Sequence, residues 1–267
     1  MHHREIAASE DHGRFRARFS NAPEDIEAAQ RLRHAIFIAA RPGADAAAGP
    51  RAQGLDADGF DARCTHALIE EIATGRLVCC FRVMHLASGA EIANSYSAQY
   101  YELESLKDYD RPMVEMGRFC VDPAFSSPDV LRVAWGAMTE YVEENGVGLL
   151  FGCSSFEGVE GDAYADAFAY LTARHIAPPR WLPRVKAPAV FRFANLLKLR
   201  RPDMKLAMKR MPPLLRTYLT MGGWVSDHAV IDRDLNTLHV FTGVEIDRVP
   251  PARRKLLRMG APRARTA

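Results

Sequence analysis

The alternation of apolar and polar positions predicts a chain of interleaved helices and strands. Between Pro23 and Phe37, apolar side chains at Ile26, Ala29, Leu32, Ile36 and Phe37 approximate the 3.6-residue helical period, with Ser20 or Asn21 ahead as a cap. Residues 65–71 and 77–85 have strand character and flank Ala73-Thr74-Gly75-Arg76, a connection suited to a hairpin. Residues 91–97 predict a short strand or turn, and 114–121 a further strand. A helix is predicted over 129–145, opened near Asp129 and closed at Asn145-Gly146. Then follow an apolar strand at 149–154, a helix at 163–174, a late strand at 238–246 and a short basic helix or tail at 253–259. The segment 175–222 alternates prolines with short apolar-basic runs and predicts short helices. This order fits an α/β (α+β) fold, a mixed and largely antiparallel central sheet with helices on its faces.

The same pattern divides the chain. Residues 1–20 read as a flexible N-terminal arm, 21–175 as the core, 176–250 as the C-terminal part of the same domain with a basic helical insertion, and 251–267 as a basic tail. The Gly- and Pro-punctuated stretch 41–54 is long for a connection and predicts a mobile flap over a site.

Composition changes this picture in three ways. A chain of 267 residues can bury a substantial core without staples. No apolar run approaches the roughly 18–20 residues needed to cross a bilayer, and Met1-His2-His3-Arg4-Glu5 opens a polar stretch without a leader's apolar centre, so a cytoplasmic location is expected. The five cysteines, odd in number and without a CxxC pair, predict buried reduced thiols rather than disulfides or a structural metal site. The net charge of +2 conceals an asymmetry: residues 184–216 hold ten basic side chains and one acid, and 248–265 hold seven basic and no acid, leaving the remainder strongly acidic. A basic C-terminal third attracts polyanions, whether an acidic protein, anionic lipid or nucleic acid. No helix-turn-helix, ribonucleoprotein or zinc pattern supports nucleic acid.

Four clusters carry potential chemistry. Glu115-Met116-Gly117-Arg118-Phe119 sets a carboxylate and a guanidinium three apart on a strand, where regular geometry sends them to opposite faces. Gly117 predicts a bulge that brings both to one side. A pocketed carboxylate can take a proton from an ammonium group, which an amine must lose before it attacks an acyl carbon. Asp56-Ala57-Asp58-Gly59-Phe60-Asp61 offers three acids on a loop, suited to a cation or an amine but lacking calcium-loop spacing. Arg33 and Phe37 share one face of the first helix. Arg82 lies inside a strand and needs a partner if its head is buried.

In order, Arg33-x3-Phe37, Asp58-x2-Asp61, Arg82 and Glu115-x2-Arg118-Phe119 resemble the acyl-homoserine lactone synthase branch of the GNAT acyltransferases. With Asp61-Ala62-Arg63-Cys64-Thr65-His66, Cys120-Val121-Asp122-Pro123 and Leu150-Phe151-Gly152-Cys153-Ser154-Ser155-Phe156-Glu157-Gly158, the chain is more similar to the ornithine lipid N-acyltransferases over about residues 30–250. The resemblance implies transfer of a 3-hydroxyacyl group from the 4'-phosphopantetheine of acyl carrier protein to the α-amino group of ornithine, giving lyso-ornithine lipid, with no bound cofactor or metal. It implies Glu115 as the base, Arg82, Arg118, Asp58 and Asp61 around the substrate and carrier, and Arg33 and Phe37 near the acyl donor. It also implies two splayed strands with Val121 and Ser154 flanking the pantetheine arm, beside Phe119. The segment 122–129 has no glycine where GNAT acetyltransferases cradle a coenzyme A pyrophosphate, which favours carrier protein as donor. The basic segments then suit the carrier protein and an anionic membrane surface, with peripheral contact and no insertion. Glutamine as acceptor, or a lactone synthase using S-adenosylmethionine, are the competing readings; a non-catalytic basic binding module is the third.

Overall fold

The computed structural model describes residues 13–40, 49–125 and 127–259. Most of the expected arm and flap, and the end of the basic tail, lie outside these residues. In chain order the elements are β1 (Phe15–Ser20), α1 (Pro23–His34), β2 (Thr65–Glu71), β3 (Leu77–Leu86), β4 (Tyr101–Glu102), β5 (Met113–Val121), α2 (Pro128–Glu144), β6 (Leu149–Glu157) and α3 (Ala165–Arg174). They continue as β7 (Arg184–Val185), β8 (Val190–Phe191), α4 (Phe193–Leu196), α5 (Met204–Arg210), α6 (Pro213–Thr220), β9 (Trp224–Val225), β10 (Ala229–Asp232), β11 (Thr237–Glu245) and α7 (Pro251–Met259). The pairing is largely antiparallel with helices on the sheet faces, as predicted. One correction applies: the later part of the expected arm is β1, a full strand. Residues 91–97, expected as a strand or turn, take the turn alternative as short 3₁₀ turns.

The described residues form two compact units, each assembled from separated segments: those up to 84, those of 116–145 and those from 254 on make one, and 85–115 with 146–253 make the other. In the first unit β1 pairs antiparallel with β2, and β2 with β3. Gly75 turns the hairpin at φ +68°, a left-handed conformation that favours glycine. One face of α1 buries Ala29 against Leu68, Cys80 and Cys120, with Leu32, Ile36 and Phe37 packed around them. After His34 the helix widens into a π-turn over Ala35–Ala39 that carries Phe37. Helix α2 is capped by Ser127, whose hydroxyl accepts from the Asp129 N–H.

In the second unit β6 and β11 run antiparallel from Glu157–Thr237 to Leu149–Glu245, and β10 and β8 extend the sheet beyond β11. The first three residues of β5 lie parallel to β6, Met113 opposite Leu149 and Glu115 opposite Phe151. Its core gathers Phe156, Phe168, Phe193, Leu215 and Val240, so the short helices expected after residue 175 are packed elements. No helix among the described residues is long and apolar enough to cross a membrane.

Candidate active site

In the second unit, Glu115 sits at the last residue pair between β5 and β6 and is 4% exposed. Its carboxylate oxygens accept the backbone N–H groups of Tyr96 and Ser97, both at 2.7 Å, and the Ser97 hydroxyl. The 3₁₀ turn at 97–99 makes this possible, because a tight turn presents successive N–H groups in one direction. The Ser97 oxygen also lies 3.4 Å from the Cys153 sulfur. Tyr218 is fully buried; burial first, and the Glu115 charge second, push its phenol well above the ordinary range. Past Phe151, β6 continues in register with β11, where Ser154 stands opposite Val240.

In the first unit, three guanidinium groups and three carboxylates form one network. Arg33 is 1% exposed; its Nε donates to Asp56 at 3.1 Å, its Nη atoms donate to both Asp61 oxygens at 2.9 and 3.0 Å, and it also donates to the Asp56 carbonyl. Arg82 donates to Asp58, and to Asp61 at 3.1 Å. Arg118 lies 3.2 Å from Asp56 and 3.4 Å from Asp58. Gln30 and the Asp58 N–H also donate to Asp61. Burial pushes the Asp61 carboxyl upward, but hydrogen bonding and charge from Arg33, with the charge of Arg82, hold it well below the usual carboxylate range. Asp58 is likewise held low: burial opposes ionisation, and the hydrogen bond and charge of Arg82, with the charge of Arg118, outweigh it.

Residues 32–136 match the acetyltransferase (GNAT) domain family. The L-ornithine N(alpha)-acyltransferase of Rhodobacter capsulatus is 31% identical over 234 residues, spanning 85% of this chain and 88% of the relative. This chain belongs to the L-ornithine N(alpha)-acyltransferase family. The protein of the same name from Brucella abortus is 30% identical over 245 residues, spanning 89% and 86%. Among solved structures, the CoA-dependent acyl-homoserine lactone synthase MesI is similar at 12% identity over 90% of this chain and 89% of that chain, with a TM-score of 0.47.

The chain is therefore an N-acyltransferase. Arg33, Asp58, Asp61, Arg82 and Arg118 come together, but their charges face one another, so the 56–61 loop is not an open cation site. Phe119 stacks on Phe81 with ring centroids 5.4 Å apart, and Phe37 packs under α1. Within β5 it is Arg118, not Gly117, that takes the left-handed conformation, at φ +54°. For a residue with a Cβ this costs on the order of 1–2 kcal/mol, which the ion pairs to Asp56 and Asp58 offset. Ser154 is 3% exposed and its hydroxyl accepts from Thr242 at 3.0 Å. Strand alternation turns Cys153, not Ser154, toward Ser97. Ser97 itself is absent from the predicted set. Its signal is faint, one serine among Ser95-Tyr96-Ser97 in a polar connection, and only the turn makes it a ligand of Glu115.

Proposed function

We propose that this N-acyltransferase moves a 3-hydroxyacyl group from the 4'-phosphopantetheine of acyl carrier protein to the α-amino group of ornithine, forming lyso-ornithine lipid. The observation that carries the reading is the buried Glu115 carboxylate, oriented by Tyr96 and Ser97 where the β5–β6 pairing ends. The Tyr96 and Ser97 N–H groups hold the carboxylate in place, in a position suited to accept a proton from an ammonium group. The Ser97 hydroxyl, bonded to Glu115, is the group through which the amine's proton reaches it. The freed amine attacks the thioester carbonyl and the C–N bond forms in a tetrahedral intermediate; its collapse breaks the C–S bond, a second nitrogen-bound proton passes to the pantetheine sulfur, and the first proton leaves Glu115 for solvent. Backbone N–H groups along β6 past Phe151 are suited to the pantetheine arm and to the oxyanion of the tetrahedral intermediate. Carrier protein is favoured as donor because 122–129 has no glycine for a pyrophosphate cradle. Ornithine is favoured as acceptor by the family.

The test is thiol release from 3-hydroxyacyl carrier protein, run in parallel with ornithine, glutamine, lysine and S-adenosylmethionine. Release with ornithine alone is expected. Release with glutamine instead reassigns the acceptor, and no release with any of them removes carrier protein as donor.

A further inference from the structure

Six large apolar side chains stand exposed among the described residues, and four of them, Leu196, Leu199, Met204 and Leu206, fall within eleven residues of the second unit. Leu199 is 93% exposed and Leu196 67%. Leaving such side chains in water is unfavourable, and a cluster of them marks a contact surface.

The segment that bears them is held firmly. Phe193 and Met211, at its two ends, are buried in the core, and Ala207 between them is fully buried. Leu197 and Met208 pack against that core. Arg200 makes hydrogen bonds of 3.1 Å to both oxygens of Asp166, and the same Asp166 accepts the Asp203 N–H. Asp203 in turn caps α5 by accepting the Leu206 N–H at 3.0 Å. The turn between α4 and α5 is thus tied down while its leucines face outward.

Cations surround the leucines. Lys198, Arg201, Lys205 and Lys209 are exposed, and none forms an ion pair among the described residues. The other basic features differ. Arg184, Arg248 and Arg258 are paired with Glu102, Glu245 and Glu143. On α7, Leu256 is a large exposed apolar side chain, and no second one accompanies it among the residues whose burial is described.

We infer that the α4–α5 turn is a docking surface for an anionic bilayer, with Leu196, Leu199, Met204 and Leu206 entering the acyl boundary and Lys198, Arg201, Lys205 and Lys209 meeting the headgroups. A side chain 93% exposed stands clear of its neighbours. It can enter a fluid layer directly, whereas a folded protein partner must offer a matching pocket. Cations around an apolar centre supply the complementary charge. The inference holds whatever acceptor the enzyme uses.

Flotation of the full chain with phosphatidylcholine vesicles, with and without phosphatidylglycerol, tests this directly. Binding is expected only with phosphatidylglycerol and weakens in high salt. Leu196→Asp/Leu199→Asp and, separately, Lys198→Glu/Lys205→Glu should each lower partitioning at least about tenfold, with unchanged melting because every altered residue is exposed. Arg253→Glu/Lys255→Glu on α7 should leave partitioning intact. Absence of binding to anionic vesicles, binding unaffected by the leucine substitutions, or loss through the α7 change alone overturns the inference. So does a leucine variant that floats normally but needs more carrier protein for half-maximal thiol release, which would make the surface a protein dock. Failure of the vesicle arm leaves the thiol-release assay untouched, so the two proposals fail separately.

Discussion

Asp61 and Glu115 are equally buried, each 4% exposed, yet different donors hold them. Asp61 is gripped by the guanidinium groups of Arg33 and Arg82, within a network whose three arginines match three aspartates. Glu115 is gripped by two backbone N–H groups and a hydroxyl. Formal counter-charge removes a carboxylate from chemistry and makes it a structural joint, because a buried ion pair satisfies itself. Backbone and hydroxyl dipoles fix a carboxylate in space, an arrangement that suits the role of base proposed for Glu115. Burial alone therefore does not separate a proposed base from a structural acid.

The contrast can be broken most forcefully at Glu115. Glu115→Gln should reduce turnover about 10²–10⁴-fold, the range for a lost general base, in the thiol-release assay, while the chain remains folded by circular dichroism. Unchanged turnover in the folded variant would take Glu115 out of the reaction. Arg33→Ala should act on the other axis. It strands Asp56 and Asp61 and should cost about 3–5 kcal/mol of stability, read by urea denaturation, with a smaller effect on turnover per folded molecule. A turnover defect at full stability would move Arg33 into the reactive site.

Acid should sharpen the difference further. Asp61 and Asp58 titrate below their unfolded values, so their contribution is complete above about pH 4, where free aspartate is ionised. It is lost as pH falls from there toward the lower folded values. Asp61→Asn should flatten this acidic loss of stability in urea titrations; an unaltered slope would place the acid sensitivity elsewhere. The smallest effect isolates the backbone. Arg118→Gly and Arg118→Ala both lose the ion pairs, but glycine accepts φ +54° freely and should be more stable by about 1 kcal/mol. Equal stabilities would mean that the left-handed turn relaxes once the guanidinium is gone.

Much of this was legible in the chain. The hairpin 65–86 and helix α2 are strongly patterned and fall where predicted, to within a residue or two. Strand β1 was missed although Phe15, Ala17 and Phe19 alternate cleanly. Arg14, Arg16 and Arg18 between them make the stretch look like a solvated arm. They are satisfied only when β2 supplies Glu70 and Glu71, and α1 supplies Asp25. The eight candidates from Arg33 to Phe119 follow from their order along the chain. The gathering of five of them into a charge network, the stacking of Phe119 on Phe81 and the hydrogen bonding of Glu115 to a turn are not visible there.

The sequence by itself determined the element order, the basic C-terminal third and the spacing of Glu115 and Arg118 on one strand, because periodicity, charge and spacing are properties of neighbours along the chain. Tertiary structure alone decided that the arginines meet Asp56, Asp58 and Asp61, that Ser97 turns its N–H and hydroxyl onto Glu115, and that Leu196 and Leu199 face outward beside unpaired cations. Those outcomes depend on which distant groups share a buried volume. A hydrogen bond or ion pair acts over a few ångströms of space, whatever the number of residues between its partners.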